Sequence, residues 1–411
     1  MGGRFTAAAT HARALRRAIG AELRADLLPF WRERSVDHER GGFIAEMSND
    51  GRVRTDAARG LVLNARLLWT FSALYRHTKD ARDLELARRA HAYLEDRFRD
   101  REHGGYAWLV DFAGRPLPGA KKVYGQAFAA YALAEYHRAS GDAGALAAAR
   151  RVYELVVRHA HDTRHGGYLE ARAADWSATT ELRLSESDMQ AAKSMNTHLH
   201  LLEAYATLYR AWPDAGLAAR LRELIGLFGA RIIDRSSGHL RHFFDETWTT
   251  LSDTYTYGHD IEAAWLVAEA AAALGDRRLT QEVRTWTIGL ARTVLAEGVD
   301  SVGAVAYEGR GGAVTDGRRD WWCQAEAVVG LWDAYQSTGD PAFADAAARV
   351  WRFIAATMVD RANGEWFWCV RADGTVDQSL PKVSQWKCPY HTTRMCLEML
   401  RRLDGAGGVG P

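Results

Sequence analysis

A short glycine-centred, aromatic-rich element recurs six times along the chain, and six similar units in series have few ways to fold. Gly41-Gly42-Phe43, Gly104-Gly105-Tyr106 and Gly166-Gly167-Tyr168 are followed by looser copies at Gly238-His239-Leu240, Gly303-Ala304-Val305 and Gly364-Glu365-Trp366. Successive copies stand 61 to 72 residues apart, room for two helices and a hairpin-like turn in each unit. Glycine followed by alternating apolar residues, as in GGYAWLV and GEWFWCV, reads as a short strand beside a turn. The segments between carry helical periodicity.

That periodicity predicts helices over 6–34, 57–78, 81–99, 122–140, 142–160, 189–212, 214–232, 257–275, 277–296, 320–339, 341–358 and 389–403. They pair into six hairpins whose two members differ. Segment 81–99 places Leu84, Ala87, Ala90, Leu94 and Phe98 on one face, whereas 262–274 is apolar nearly all round. The first kind faces solvent and the second is enclosed. Enclosed helices alternating with amphipathic ones predict an all-α fold, an (α/α)6 barrel of six helical hairpins with short β-hairpins between repeats. An open α-solenoid is the structural alternative. One catalytic domain is expected over 1–403, with a flexible tail at 404–411.

Composition narrows the partners. The 411 residues are 47% hydrophobic and 26% charged, which excludes a disordered or fibrous chain. Lys+Arg 53 against Asp+Glu 52 leaves a net charge of +1, so neither nucleic acid nor an anionic membrane is called for. The start lacks the apolar segment of a signal peptide and no stretch is long and apolar enough to span a membrane, so a cytoplasmic location is expected. Cys323, Cys369, Cys388 and Cys396 contain no C-x-x-C pair, which fits reduced core thiols better than a disulfide frame or a zinc site.

Polar residues interrupt the enclosed helices near their N-terminal ends: Arg59, Asn64 and Arg66; Tyr124 and Gln126; Asn196, His198 and His200; His259 and Glu262; Trp321, Trp322, Gln324 and Glu326; His391 and Arg394. If the inner helices run parallel, these converge on one mouth of the barrel, together with the positive ends of the helix dipoles. Asn196 and His200 are four apart and His259 and Glu262 three apart, so each pair shares a helix face. His391 follows Pro389, a residue favoured in a first helical turn. A histidine buried alone ordinarily satisfies a backbone group; three at equivalent repeat positions point to a shared site.

Other chemistries fit less well. His198 and His200 point about 200° apart on a helix, and neither H-E-x-x-H nor a facing carboxylate cluster occurs, so no metal is expected. No G-x-S-x-G elbow is present, and Cys388 beside His391 is the one nucleophile pairing worth naming. The double glycines lack a P-loop lysine or Rossmann spacing, so no nucleotide cofactor is implied. Trp321, Trp322, Trp366, Trp368 and Trp386 lie close to the polar ring in sequence, and flat apolar faces beside carboxylates and amides suit sugar rings. Ser185, Asp188 and Glu308 fall in loops before inner helices, where they can meet hydroxyls.

The strings KSMNTHLHLLEAYATLYRAW (193–212), TYGHDIEAAWLVAEAA (256–271), WWCQAEAVVGLWDAYQSTGD (321–340) and WKCPYHTTRMCLEML (386–400) resemble the N-acylglucosamine 2-epimerase superfamily, and within it the cellobiose 2-epimerases. The likeness covers essentially the whole chain. It implies a cofactor-independent isomerase that opens a reducing-end glucose, removes the C2 proton to a cis-enediolate and reprotonates C2 on the other face, giving the mannose configuration. It implies general acid/base roles for His259 and His391, enediolate stabilisation by Arg66 and His200, and sugar contacts from Tyr124, Ser185, Asp188, Asn196, Glu262, Glu308, Trp322 and Trp386. The expected partner is a small sugar, and the expected assembly a monomer or weak homo-oligomer.

Elementary chemistry agrees: inverting C2 takes a base on each face, and imidazole works as acid and base near neutral pH. Thr392 and Ala264 stand where cellobiose 2-epimerases often carry asparagine and serine, which keeps mannose/glucose 2-epimerase and mannose isomerase activities open as alternatives. Two further classes remain open. A glycoside hydrolase on the same barrel would use carboxylates such as Asp188, Asp260, Glu262 and Glu326; a non-catalytic sugar binder would use the aromatics alone.

Overall fold

The computed structural model describes residues 2–186 and 188–405. Twelve helices follow one another: α1 (2–33), α2 (Leu61–Thr78), α3 (81–98), α4 (Val123–Ser140), α5 (Ala143–Ala160), α6 (Met195–Ala211), α7 (215–232), α8 (Tyr257–Ala273), α9 (277–298), α10 (Trp321–Thr338), α11 (341–358) and α12 (Tyr390–Gly405). Each even-numbered helix packs against the next, and α12 closes on α2, so the ring is shut and the open solenoid is excluded. The odd-numbered helices wrap it: α3 on α2, α5 on α4, and so on round to α1, which lies against α11 and α12.

Each helical hairpin has a local cause. Lys79, Gly141, Gly275 and Gly339 adopt positive φ just past inner helices, which turns the chain back. Asp80, Asp142, Asp214, Asp276 and Asp340 then cap the next outer helix through a side-chain oxygen on a first-turn N–H, each contributing about 1 kcal/mol. The outer helices α3, α7, α9 and α11 close in π-helical turns, Leu94–Phe98, Phe228–Ile232, Val294–Gly298 and Ile354–Met358.

Several inner helices start later than periodicity suggests, at 61 rather than 57 and 195 rather than 189. The residues before them belong to two-residue strands. Arg59–Gly60 pairs with Leu109–Val110, Lys121–Lys122 with Ala171–Arg172, Lys193–Ser194 with Phe243–Phe244, and Arg319–Asp320 with Cys369–Val370. Thr254–Thr256 pairs with Glu308–Arg310, and Met47 with Val383. Every unit is thus stitched to the next around the ring. At the other end of the chain, α12 runs to Gly405, so the tail expected from 404 begins as helix; residues 406–411 lie outside the described residues.

A second repeated element underlies the glycine turns. Asp37, Asp100, Asp162, Asp234 and Asp360 stand four residues before the first turn glycine, and Asp300 three before Gly303. Each accepts backbone N–H bonds from its own turn. Five of the six also hold a cation at 2.5–2.8 Å: Arg59, Lys121, Lys193, Arg319 and Lys382. In the fourth unit Asp234 pairs with Arg241 at 3.1 Å, while Tyr255 stacks on His239, which bridges Asp260 and Glu297.

The turn glycines are needed where the layers meet most closely. Gly167 has φ +77°, and a Cβ there would lie 2.5 Å from Trp248 and 2.7 Å from His198 Nε2. Gly141 has a similar φ but open space around it. Gly141→Ala is expected to cost about 1–2 kcal/mol for the left-handed backbone. Gly167→Ala adds overpacking and is expected to cost about 3 kcal/mol or more, both read from urea unfolding at constant pH.

Candidate active site

The six strand pairs put the N-termini of the inner helices at one mouth of the barrel. A cavity of about 300 Å³ opens there, its wall including Asp188, Asn196, His259 and Glu308. Ser185 forms a turn with Asp188, whose carboxylate accepts the Ser185 N–H at 3.0 Å. Trp322 packs against two imidazoles, its ring 4.6 Å from His259 and 5.8 Å from His391. On the adjoining wall Arg66 donates to the Tyr124 hydroxyl at 3.0 Å and to the Trp386 carbonyl at 3.3 Å. The Tyr124 ring stands 5.1 Å from His200 and 6.1 Å from Trp386. The structure therefore gathers the sequence-derived residues on or just beneath one mouth.

Some of the polar ring faces the other way. Gln126 clamps the Tyr106 N–H and C=O at 3.0 and 2.8 Å, and Gln324 does the same to Val305 at 2.8 and 2.7 Å. His198 accepts the Tyr168 N–H at 2.9 Å, and Asp260 that of Leu240 at 2.8 Å. Arg59 belongs to the Asp37 turn. These five satisfy backbone between the helix layers; one step of helical rotation separates them from the residues that face inward.

Beneath the cavity a buried ionic cluster holds the histidines. Arg394 from α12, 2% exposed, donates to Glu203, to Glu262 at 2.5 Å and to Glu326 at 2.7 Å. Glu203 in turn meets His200 Nδ1 at 3.0 Å and the Tyr390 hydroxyl at 2.6 Å. Glu326 meets His391 Nδ1 at 2.6 Å and accepts from Trp265 at 3.0 Å. Burial alone would raise Glu203, but Arg394 and His200 outweigh it and hold the carboxyl at about 2. Burial and the neighbouring Glu326 push Glu262 the other way, up to about 8, against the pull of Arg394. Ligand atoms of Glu262, Glu326 and His391 lie within 4.8 Å of one another, as a metal site would require. The Arg394 guanidinium binds both carboxylates in that space, so this donor set is already neutralised.

Burial disfavours the charged form of the imidazoles. Burial draws His391 well below its usual range, with Arg66 and Arg394 adding to the effect. Burial does the same to His259, followed by His242, His200 and His391, as expected of rings facing one chamber. Arg66 itself is 3% exposed and packs 4.5 and 4.9 Å from the Phe128 and Tyr390 rings. No ion pair to Arg66 occurs among the described residues, and its Nε is buried without a partner. Cys388 is fully buried and burial pushes its thiol up, away from the thiolate that nucleophilic attack requires.

Sequence reasoning missed a collar around the mouth. The residue two positions past each repeated aromatic or apolar residue is Ala45, Trp108, Glu170, His242, Tyr307 or Trp368. Glu170, His242 and Tyr307 line the same cavity as His259. Burial pushes Glu170 up to about 7; its Oε1 accepts from Thr197 at 2.5 Å, while Oε2 and the nearby Asn196 Oδ1 have no protein partner. The glycine repeat was signal enough to find this collar. For Glu203 and Tyr390 no sequence signal existed. A larger hollow, about 520 Å³, opens at the opposite end of the barrel, but its charges are paired to each other, Arg76 with Glu135 and Arg210 with Glu269.

The N-acylglucosamine 2-epimerase (GlcNAc 2-epimerase) family profile matches residues 42–394. A cellobiose 2-epimerase of Bacteroides fragilis is 42% identical over 390 residues, covering 94% of this chain and 98% of its own. One of Dictyoglomus turgidum is 36% identical, covering 95% and 99%. The solved structure of cellobiose 2-epimerase from Bacillus thermoamylovorans superposes with a TM-score of 0.90 at 38% identity, covering 95% of this chain and all of that one.

A carboxyl raised in the folded state keeps a proton that the unfolded chain has released. Stability therefore falls as pH rises from the ordinary 4.5 of Glu262 towards about 8. Glu262→Gln keeps an acceptor for Arg394 without titrating. Melting curves of the variant, recorded from about pH 5 to about pH 8, are expected to fall less steeply than those of the unsubstituted protein.

Proposed function

The chain belongs to the N-acylglucosamine 2-epimerase family, and from that premise we propose that it is a cellobiose 2-epimerase. It inverts C2 of the reducing-end glucose of cellobiose, or a related β-1,4-linked disaccharide, to the mannose configuration. One observation carries the reading: a buried guanidinium without an ion-pair partner, Arg66, lies close to two imidazoles that both pack against Trp322. A buried cation of this kind is costly unless negative charge develops beside it during the reaction.

In this reading the sugar opens to its aldehyde, and one imidazole takes the C2 proton. The C–H electron pair becomes the C1–C2 double bond of a cis-enediolate, whose oxygen charge Arg66 and His200 stabilise. The second imidazole returns a proton to the opposite face of C2. His259 and His391 fill these two roles, one on each face of C2. Trp322 and Trp386 offer faces to the sugar rings, and Tyr124, Ser185, Asp188, Asn196, Glu262 and Glu308 are the hydroxyl contacts. Proton transfer of this kind calls for no cofactor.

The hydrolase alternative needs two carboxyls free to flank the glycosidic bond. Asp260 is spent on Leu240 and His239, and Glu262 and Glu326 on Arg394. No helix among the described residues is long and apolar enough to cross a membrane. Four buried free thiols suit a reducing compartment, so we place the enzyme in the cytoplasm. A ring closed on itself leaves no inner-helix edge in need of covering, which suits a monomer or weak homo-oligomer.

Proton NMR of cellobiose with the enzyme in heavy water tests the reading. Deuterium is expected at C2 together with a mannose-type reducing end, and release of free glucose would overturn it. His259→Ala and His391→Ala are each expected to lower inversion by about 100-fold or more with melting temperatures near that of the parent enzyme.

A further inference from the structure

We infer that Thr256 is the positioning residue that supports His259 in both of its protonation states, and so decides whether C2 is inverted or merely exchanges its hydrogen. The inference rests on the roles proposed above for His259 and His391.

Thr256 occupies the N-cap position of α8, where a hydroxyl ordinarily accepts an N–H from the first helical turn. Ser194 does this for α6, accepting the Thr197 N–H at 3.1 Å. Thr256 forgoes its cap. Its Oγ1 lies instead 2.6 Å from His259 Nδ1, and no other hydrogen bond to that hydroxyl occurs among the described residues. A local rule broken where chemistry is expected marks a functional constraint. The residue is also firmly held: its strand pairs with Glu308–Arg310, and its N–H donates to His242 Nε2 at 3.3 Å. The His242 ring stands nearly perpendicular to His259, 5.5 Å away.

A neutral ring whose Nε2 lone pair faces the substrate carries its proton on Nδ1, as the imidazolium does, so the Thr256 oxygen accepts the Nδ1–H in both states. Nε2 stays available for the substrate in either state, and the ring need not move. His391 is backed differently, with the Glu326 carboxyl, which Arg394 also binds, 2.6 Å from its Nδ1. The two imidazoles are therefore unequal. His391 has its Nδ1 held by a carboxyl that Arg394 fixes, whereas His259 depends on one neutral hydroxyl.

Thr256→Val keeps size, branching and strand preference but leaves the Nδ1–H without its acceptor and the tautomer of His259 unfixed. His391 can still take the C2 proton, its C–H electron pair entering the C1–C2 bond and the aldehyde oxygen taking the charge. The proton then returns from the same side, after exchange with solvent. The expected product is substrate deuterated at C2 with its configuration retained, from the one epimer whose C2 hydrogen faces His391.

The test follows both reactions by proton NMR in heavy water, starting separately from cellobiose and from its mannose-ended epimer. Inversion by Thr256→Val is expected to fall by about 100-fold, with KM little changed and exchange persisting from one epimer only. Thr256→Ser is expected to restore inversion, and Thr256→Ala, should the valine variant fold poorly, to reproduce the split. Exchange and inversion that fall together, or valine and alanine variants that invert normally, would overturn the inference alone. An unsubstituted enzyme that neither exchanges nor inverts C2 would overturn the functional reading and this inference with it.

Discussion

Arg394 is the contact on which both the barrel and its chemistry depend. One guanidinium from the last inner helix binds carboxylates from α6, α8 and α10, so four of the six inner helices meet at a single buried cation. Such a cluster is a weak source of stability, because desolvating its members offsets most of their attraction. What it supplies is position. Glu203 and Glu326 are fixed by Arg394, and they in turn fix His200 and His391. The imidazoles are thereby oriented from below, leaving their other edges toward the mouth.

The repeats show how one scaffold position serves two ends. Three residues into the inner helices, Gln126, His198, Asp260 and Gln324 tie backbone of the neighbouring turn to the ring. Immediately before or two residues after some of these come His200, His259 and Glu326, which face the chamber or its ionic floor. Similarly, the collar position carries alanine or an aromatic residue in four units and an ionisable one, Glu170 or His242, in the third and fourth. Structural duty is repeated around the ring, while chemistry is concentrated in particular units.

Fold class, helix pairing and the histidines were legible in the sequence because each rests on local periodicity or on residue type at a repeated spacing. The limits follow the same physics. Whether His198 or His200 faces inward depends on about 200° of helix rotation, and both choices look alike in a string that is apolar on every side. Arg394 and Glu203 are separated by 191 residues, so no window of sequence contains their contact. Thr256 reads as an ordinary strand residue before a helix. Only its distance from Nδ1 of His259 gives it another part. The aspartates that precede the turn glycines recur at nearly the same spacing as the glycines they brace and are as legible as they are.

The order in which the units join carries a consequence for biogenesis. His391, Arg394 and the seat of α1 all come from the sixth unit, and the seam between Met47 and Val383 also waits for it. A nascent chain with five units made has its first and fifth hairpins exposed along their length and three glutamates without their counter-charge. It lacks the histidine proposed as one of the two bases and leaves those edges open to other such chains. Closure is then a single late event that switches on activity and removes the adhesive edges together, which makes the sixth unit the natural point for chaperone or protease surveillance to read success.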